Sequence, residues 1–193
     1  MRISILTERL VIRNLEPIDA EWMFRYRSNP SVNRFQFWEP SSVEEVQAFI
    51  EASAKVDKDQ FGAWCQLGLY LSDRGHLVGD CGFRLLAADP SQAEIAATVS
   101  PEFQGRGFGD EAVRALLDFL ILKEGKRRVF ASVDPDNTTA VALFKRVGMR
   151  AEAHFVESLC FKGRWADDMV FGLLAREYIG SGFQQCWNGT TPQ

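Results

Sequence analysis

Between residues 61 and 71 the chain alternates. Phe61, Ala63, Cys65, Leu67, Leu69 and Leu71 fall on one side. This period of two predicts a long strand with one buried face. Ser72-Asp73-Arg74-Gly75 predicts a hairpin turn. Residues 76–86 then read as the return strand, in which Gly79 and Gly82 predict a bulge or a closely approaching backbone. After a second turn at 87–91, residues 92–99 form a third strand. The three make an antiparallel meander.

Elsewhere the period lengthens. Val113, Leu116, Leu117, Leu120 and Ile121 form a stripe at spacings of three and four, widened by Ala112, Ala115 and Phe119. This predicts a central helix, covered by more than one element and ended by Gly125. Val46, Phe49 and Ile50 mark an earlier helix, entered through overlapping capping boxes, Ser41 with Glu44 and Ser42 with Glu45. Before it, Asp19 is expected to cap a helix holding Trp22, Met23 and Tyr26, stopped by Asn29-Pro30. Residues 8–13 read as a first strand, 129–133 as a short buried strand, and 138–147 as a helix led by Asn137. Residues 149–161 and 165–174 read as two long strands around a Lys162-Gly163-Arg164 turn. The predicted order is β-α-α-β-β-β-α-β-α-β-β, one mixed seven-stranded α/β (α+β) sheet with helices on both faces. A single domain is expected over residues 7–178, with a mobile tail over 179–193 in which Phe183 and Trp187 could dock.

Composition narrows the partners. The chain has 193 residues, 46% of them apolar and 25% charged, with a net charge of −4. That suits one soluble domain and argues against nucleic acid, whose phosphates need a basic face. No stretch approaches a membrane span, and the N-terminus lacks a secretory hydrophobic region. Cys65, Cys81, Cys160 and Cys186 are scattered without a metal-binding knuckle, so reduced thiols, a cytoplasmic location and no metal are expected.

The candidate chemistry centres on Gln104-Gly105-Arg106-Gly107-Phe108-Gly109, which joins the third meander strand to the central helix. Glycines at alternate positions let backbone N–H groups wrap an anion, and the helix N-terminus faces the same place. A dinucleotide fingerprint would need Gly-x-Gly-x-x-Gly within a βαβ unit, and a P-loop would need Gly-Lys-Ser/Thr. Neither is present.

The spacing Gln104-x-x-Gly107-x-Gly109, in this order of elements, resembles the GNAT superfamily of acyl-CoA-dependent N-acetyltransferases. It is most similar to the branch that holds the ribosomal-protein N-terminal acetyltransferases. The resemblance covers about residues 7–178. Its further signposts are Thr7-Glu8-Arg9-Leu10, Ala93-Glu94-Ile95, Val133-Asp134-Pro135-Asp136-Asn137, Lys145-Arg146-Val147-Gly148 and Gly163-Arg164-Trp165.

The resemblance implies acetyl-CoA as co-substrate and an amine acceptor. Its pyrophosphate would lie on the N–H groups of Gln104, Gly105, Arg106, Gly107, Phe108 and Gly109, with Arg106 adding charge. The pantetheine arm would run along Ala97 and Val99, and Asn137 would bind the same arm. Glu94 takes the position of a general base; flanked by Ile95, Ala96 and Ala97, it is expected to be partly desolvated. The family's acid positions carry Phe144 and Ala140, which cannot donate a proton. Phe35 and Trp38 lie in an aromatic loop that either tucks its rings into the core or walls an acceptor pocket, and Glu157 and Asp167, on the last two strands, either are solvated or orient a cationic acceptor. Homodimers are common in such proteins, although no patch specifies one here. An acyl-CoA-binding module without turnover is the competing reading, supported by the missing acid residues.

Overall fold

The structure, a computed structural model, describes residues 3–181. Eight strands form one sheet in the order β1-β2-β3-β4-β5-β6-β8-β7. They are β1 (Ser4–Leu6), β2 (Leu10–Asn14), β3 (Cys65–Leu71), β4 (Leu77–Leu85), β5 (Gln92–Val99), β6 (Arg128–Val133), β7 (Arg150–Phe161) and β8 (Arg164–Leu174). Every neighbouring pair is antiparallel except β5 and β6. The eighth strand is β1, a three-residue piece too short to show a period; it pairs with β2 through Ile5↔Ile12.

The meander forms because both faces of β3 and β4 are covered. Leu67, Leu69, Cys81 and Phe83 belong to a core beneath α4 (Phe108–Leu117) and α5 (Thr138–Arg146). On the other face Tyr70 and Leu77 meet Met23 and Tyr26 of α1 (Ala20–Arg27) and Val46 and Ile50 of α3 (Val43–Ser53). The strand expected from Phe61 begins only at Cys65. Gly62 turns to φ +75° and breaks the extended run, leaving Phe61 an isolated bridge to Leu85.

Local signals resolve in instructive ways. Ser42 caps α3 through Glu45 N–H, whereas the Glu45 carboxylate turns back to Ser41 and Trp38. Asp19 does not cap α1. Its carboxylate accepts from Glu16 N–H and from the buried Tyr70 hydroxyl. Asn29 starts a further helix, α2 (Pro30–Asn33), with Pro30 in its first turn. Beyond α4 the helix widens to π spacing over Asp118–Lys123, and α6 (Ala175–Gly180) extends the ordered chain past the expected tail boundary. Tyr178 of α6 anchors to Asp118 at 2.8 Å. Cys186, Phe183 and Trp187 lie outside the described residues.

Candidate active site

The sheet comes apart between β5 and β6. These parallel strands pair only through Gln92↔Arg128, Ala93↔Val129 and Glu94↔Phe130. Beyond that, β4 holds β5 as far as Gly79↔Val99, and β8 holds β6 as far as Val133↔Met169. Each half of the sheet keeps its own partner, so a wedge opens between them. Gly79 lets β4 stay close here: a Cβ on it would run into the Thr98 carbonyl oxygen.

The register fixes what faces the wedge. Ser100 N–H donates to Val78 O at 2.9 Å, and Leu86 N–H donates to Gln92 O at 3.2 Å. Gly79/Val99 and Cys81/Ala97 are therefore non-hydrogen-bonded pairs. The backbone groups of Ala97 and Val99 point away from β4 and into the opening. One of them is taken: Val99 O accepts from the Gln104 amide at 2.9 Å.

The glycine turn stands at the mouth. Gly105 and Gly107 adopt φ of +73° and +81°, the left-handed region where a side chain would strain the backbone. Gly107 precedes α4 with no side-chain cap, and the first intrahelical bond runs from Glu111 N–H to Gly107 O. The N–H groups of Phe108, Gly109 and Asp110 are thus the helix's orphan donors. Gly109 packs near α5, where a Cβ would meet Leu143 at an ordinary contact distance of 3.5 Å. Gln104 departs from the expected cradle. Its N–H closes a 3₁₀ turn onto Pro101 O, and its side chain braces Val99. Arg106 is exposed, stacks over Phe103 at 5.3 Å, and makes no ion pair among the described residues.

The N-terminal hairpin holds this turn. Arg9 Nη1 donates to Arg106 O at 2.9 Å, while Arg9 Nε and backbone N–H reach the two oxygens of the buried Glu111 at 2.7 and 2.8 Å. Thr7 Oγ1 donates to the same carboxylate at 2.5 Å. The Thr7-Glu8-Arg9 signpost thus has a mechanical meaning.

Glu94 is 8% exposed and lies on the last paired rung, facing the α1 side of the sheet with its β6 partner Phe130. Arg84, directly opposite on β4, places both Nε and Nη2 at 2.6 Å from Oε2. No protein donor among the described residues reaches Oε1. Asn137 caps α5, its Oδ1 accepting from Ala140 N–H at 3.2 Å; its Nδ2 donates to no atom of the described residues. Phe144 is buried and stacks on Phe171, and Ala140 packs against the core.

The expected acceptor residues divide. Trp38 turns inward, stacking on Phe49 at 4.4 Å and donating Nε1 to Glu45 at 2.8 Å. Phe35 is half-buried beneath Arg34. The ring that meets the β7–β8 hairpin is Phe37, edge-on to Phe161 at 4.9 Å. Lys162 ties the same hairpin to Asn33 and Glu39. Asp167 is saturated by Glu157 N–H at 2.8 Å and His154 Nε2 at 2.7 Å, which hold its carboxyl below the usual range. Glu157 sits at φ +47° in a β7 irregularity and is exposed. Missed by the sequence was Asp168, whose neighbour across the sheet is Ser132. Among the described residues no group of three or more His, Cys, Asp or Glu gathers as a metal site. Nor is any helix there long and apolar enough to cross a membrane.

Comparison with known proteins meets this geometry. The model of the acetyltransferase (GNAT) domain matches residues 9–150. The chain belongs to the GNAT family. It is 28% identical over 178 residues to the N-acetyltransferase p20 of Bacillus licheniformis, covering 92% of this chain and 99% of that protein. It is 22% identical to the ribosomal protein uS5 alanine N-acetyltransferase of Escherichia coli K12, covering 92% and 93%. The crystal structure of Vibrio cholerae spermidine N-acetyltransferase in complex with CoA and spermine superposes with a TM-score of 0.76 at 22% identity, covering 90% and 99%. This GNAT enzyme is accordingly an acetyl-CoA-dependent N-acetyltransferase acting on amines.

Proposed function

We propose that the wedge between β5 and β6 receives acetyl-CoA and that Glu94 accepts the proton of the attacking amine. The observation that carries this reading is the free edge of β5, at Ala97 and Val99, running directly into the uncapped start of α4. An extended pantetheine arm can add to such an edge as a short strand would. The N–H groups of Gly105, Arg106, Gly107, Phe108 and Gly109, with the Arg106 guanidinium, suit the pyrophosphate. Asn137 Nδ2 supplies one more donor to the arm.

Each chemical demand then has a candidate. Val99 N–H polarises the thioester carbonyl. The amine nitrogen attacks the carbonyl carbon, a C–N bond forms, and Glu94 Oε1 takes the nitrogen's proton. The C–S bond breaks and the thiolate departs. Arg84, bonded to Oε2 alone, orients the carboxylate without occupying its second oxygen. With Phe144 and Ala140 at the acid positions no side chain there donates to the leaving thiolate, which takes its proton from water.

The acceptor is a protein α-amine or a small amine. A screen of peptides and small amines, read by free-thiol release from acetyl-CoA, tests the reading. Thiol release with at least one amine class is the expected result. Tight CoA binding with no release from any amine supports the second reading, an acyl-CoA-binding module, which Phe144 and Ala140 favour.

A further inference from the structure

Glu94 does not stand alone on its face of the sheet. Residues paired across neighbouring strands share a face, so Glu94, Phe130 and Gly172 lie together. Two residues along β6, about 7 Å further into the open wedge, is Ser132. It pairs with Val170, and Asp168 is on the same face of β8. Ser132 Oγ donates to Asp168 Oδ1 at 2.5 Å.

Four carboxylates of the strands occupy this face, and three are already neutralised. Asp80, fully buried, meets Arg27 on α1. Glu94 meets Arg84, and Glu152 meets Arg128 and Arg150. Asp168 is half-buried beside an exposed Ser132, and no Lys, Arg or His among the described residues reaches it. An ionised carboxylate at the mouth of a reaction cleft, steadied by a hydroxyl and lacking a cation, is complementary to positive charge supplied from outside.

We propose that Asp168, oriented by Ser132, anchors a second cationic group of the acceptor while Glu94 receives the proton of the reacting amine. The acceptor class this selects is a diamine whose two ammonium groups are about 10 Å apart, because the Asp168 carboxylate, held at Ser132, lies two residues further along the strands than Glu94 and more than one strand spacing across from it. The assignment rests on the acetyl-transfer reading above. Ser132 is a positioning residue that fixes the carboxylate rotamer, and Asp168 is the group that touches the acceptor.

The test compares 1,7-diaminoheptane, whose nitrogens can lie about 10 Å apart, with 1-aminoheptane, which lacks one ammonium. Binding to the CoA-loaded protein is measured by calorimetry, and turnover by thiol release. The wild type should bind and use the diamine at least about tenfold better. Asp168→Asn keeps the shape and a Ser132 contact; it should erase that preference while leaving the monoamine and the CoA Kd within about twofold. Ser132→Ala should weaken the preference by a smaller factor, seen in KM rather than kcat. Equal affinity for the two amines in the wild type overturns the proposal, as does a preference that survives Asp168→Asn. Selective diamine binding that depends on Asp168 without thiol release would uphold this site and contradict acetyl transfer instead.

Discussion

Arg9 and Glu111, 102 residues apart, make a fork-shaped pair: Arg9 Nε and Nη2 both lie 2.7 Å from Glu111 Oε2, and the third guanidinium nitrogen holds the carbonyl of Arg106. One arginine therefore joins the N-terminal hairpin, the first turn of α4 and the glycine turn. Arg9→Ala leaves a nearly buried carboxylate short of its donors. Because the Arg9 side chain is 44% exposed, the cost should lie near 1–3 kcal/mol rather than the larger value of a fully buried pair, roughly 3–5 kcal/mol. Urea unfolding measures it. The loosened turn should also raise the CoA Kd about tenfold, a loss of about 1.4 kcal/mol. Arg9→Lys keeps the charge but not the fork, and should fall between. An unchanged Kd in Arg9→Ala would separate this pair from the cradle.

Gly79 matters for close approach, not for backbone freedom. Its missing Cβ makes room for the Thr98 carbonyl beside Val99. Gly79→Ala should destabilise the fold by about 1–3 kcal/mol through overpacking. It should also raise KM for acetyl-CoA, since β5 would shift at its free edge. Thermal unfolding together with saturation kinetics checks both effects.

Glu45 couples the aromatic loop to pH. Hydrogen bonds from Ser41, first through its hydroxyl, and from Trp38 hold its carboxyl down at about 2 against an ordinary 4.5. A folded value below the unfolded one means stabilisation that is present above the ordinary range and lost as pH falls toward about 2. The Trp38 indole N–H resonance should keep its shift down to pH 4 and move near pH 2. Glu45→Gln should produce the same displacement at neutral pH. A midpoint near 4.5 would contradict the role of these bonds.

The thiols divide by burial. Burial pushes the Cys65 thiol up to about 11 and the Cys81 thiol well above its ordinary value. Cys160 is exposed. At pH 8, iodoacetamide should modify Cys160 in the native protein and reach Cys65 and Cys81 only after unfolding. Peptide mapping by mass spectrometry distinguishes the sites.

The parts legible in the sequence are those written in local patterns. β5 appears with its expected bounds because its ends are set by turns, and α4 appears because its apolar stripe is wide. The glycine turn was legible because left-handed backbone selects glycine at Gly105 and Gly107. What escaped depends on which strands become neighbours. The grip of Arg84 on Glu94 requires the β4–β5 register, and Ser132 meets Asp168 only because β8 inserts between β6 and β7. Trp38 stayed open between core and pocket wall because aromatic content does not say which way a ring turns; in the structure it donates to Glu45 and stacks on Phe49. Asp167 and Asp168 are adjacent, and strand alternation sends them to opposite faces. Only the register identifies Asp168 as the one facing the side of Glu94.

In the proposed reaction the free oxygen of Glu94 takes the acceptor's proton in the wedge. The direct measurement is the pH dependence of acetyl-CoA thiol release by Glu94→Gln against the wild type, with CoA affinity measured alongside. Glu94→Gln should lower kcat by about 10²–10⁴ near neutral pH, recover partially at high pH where the amine deprotonates unaided, and keep a CoA Kd within about twofold of the wild type. Wild-type turnover by Glu94→Gln across the whole pH range would contradict proton transfer to Glu94.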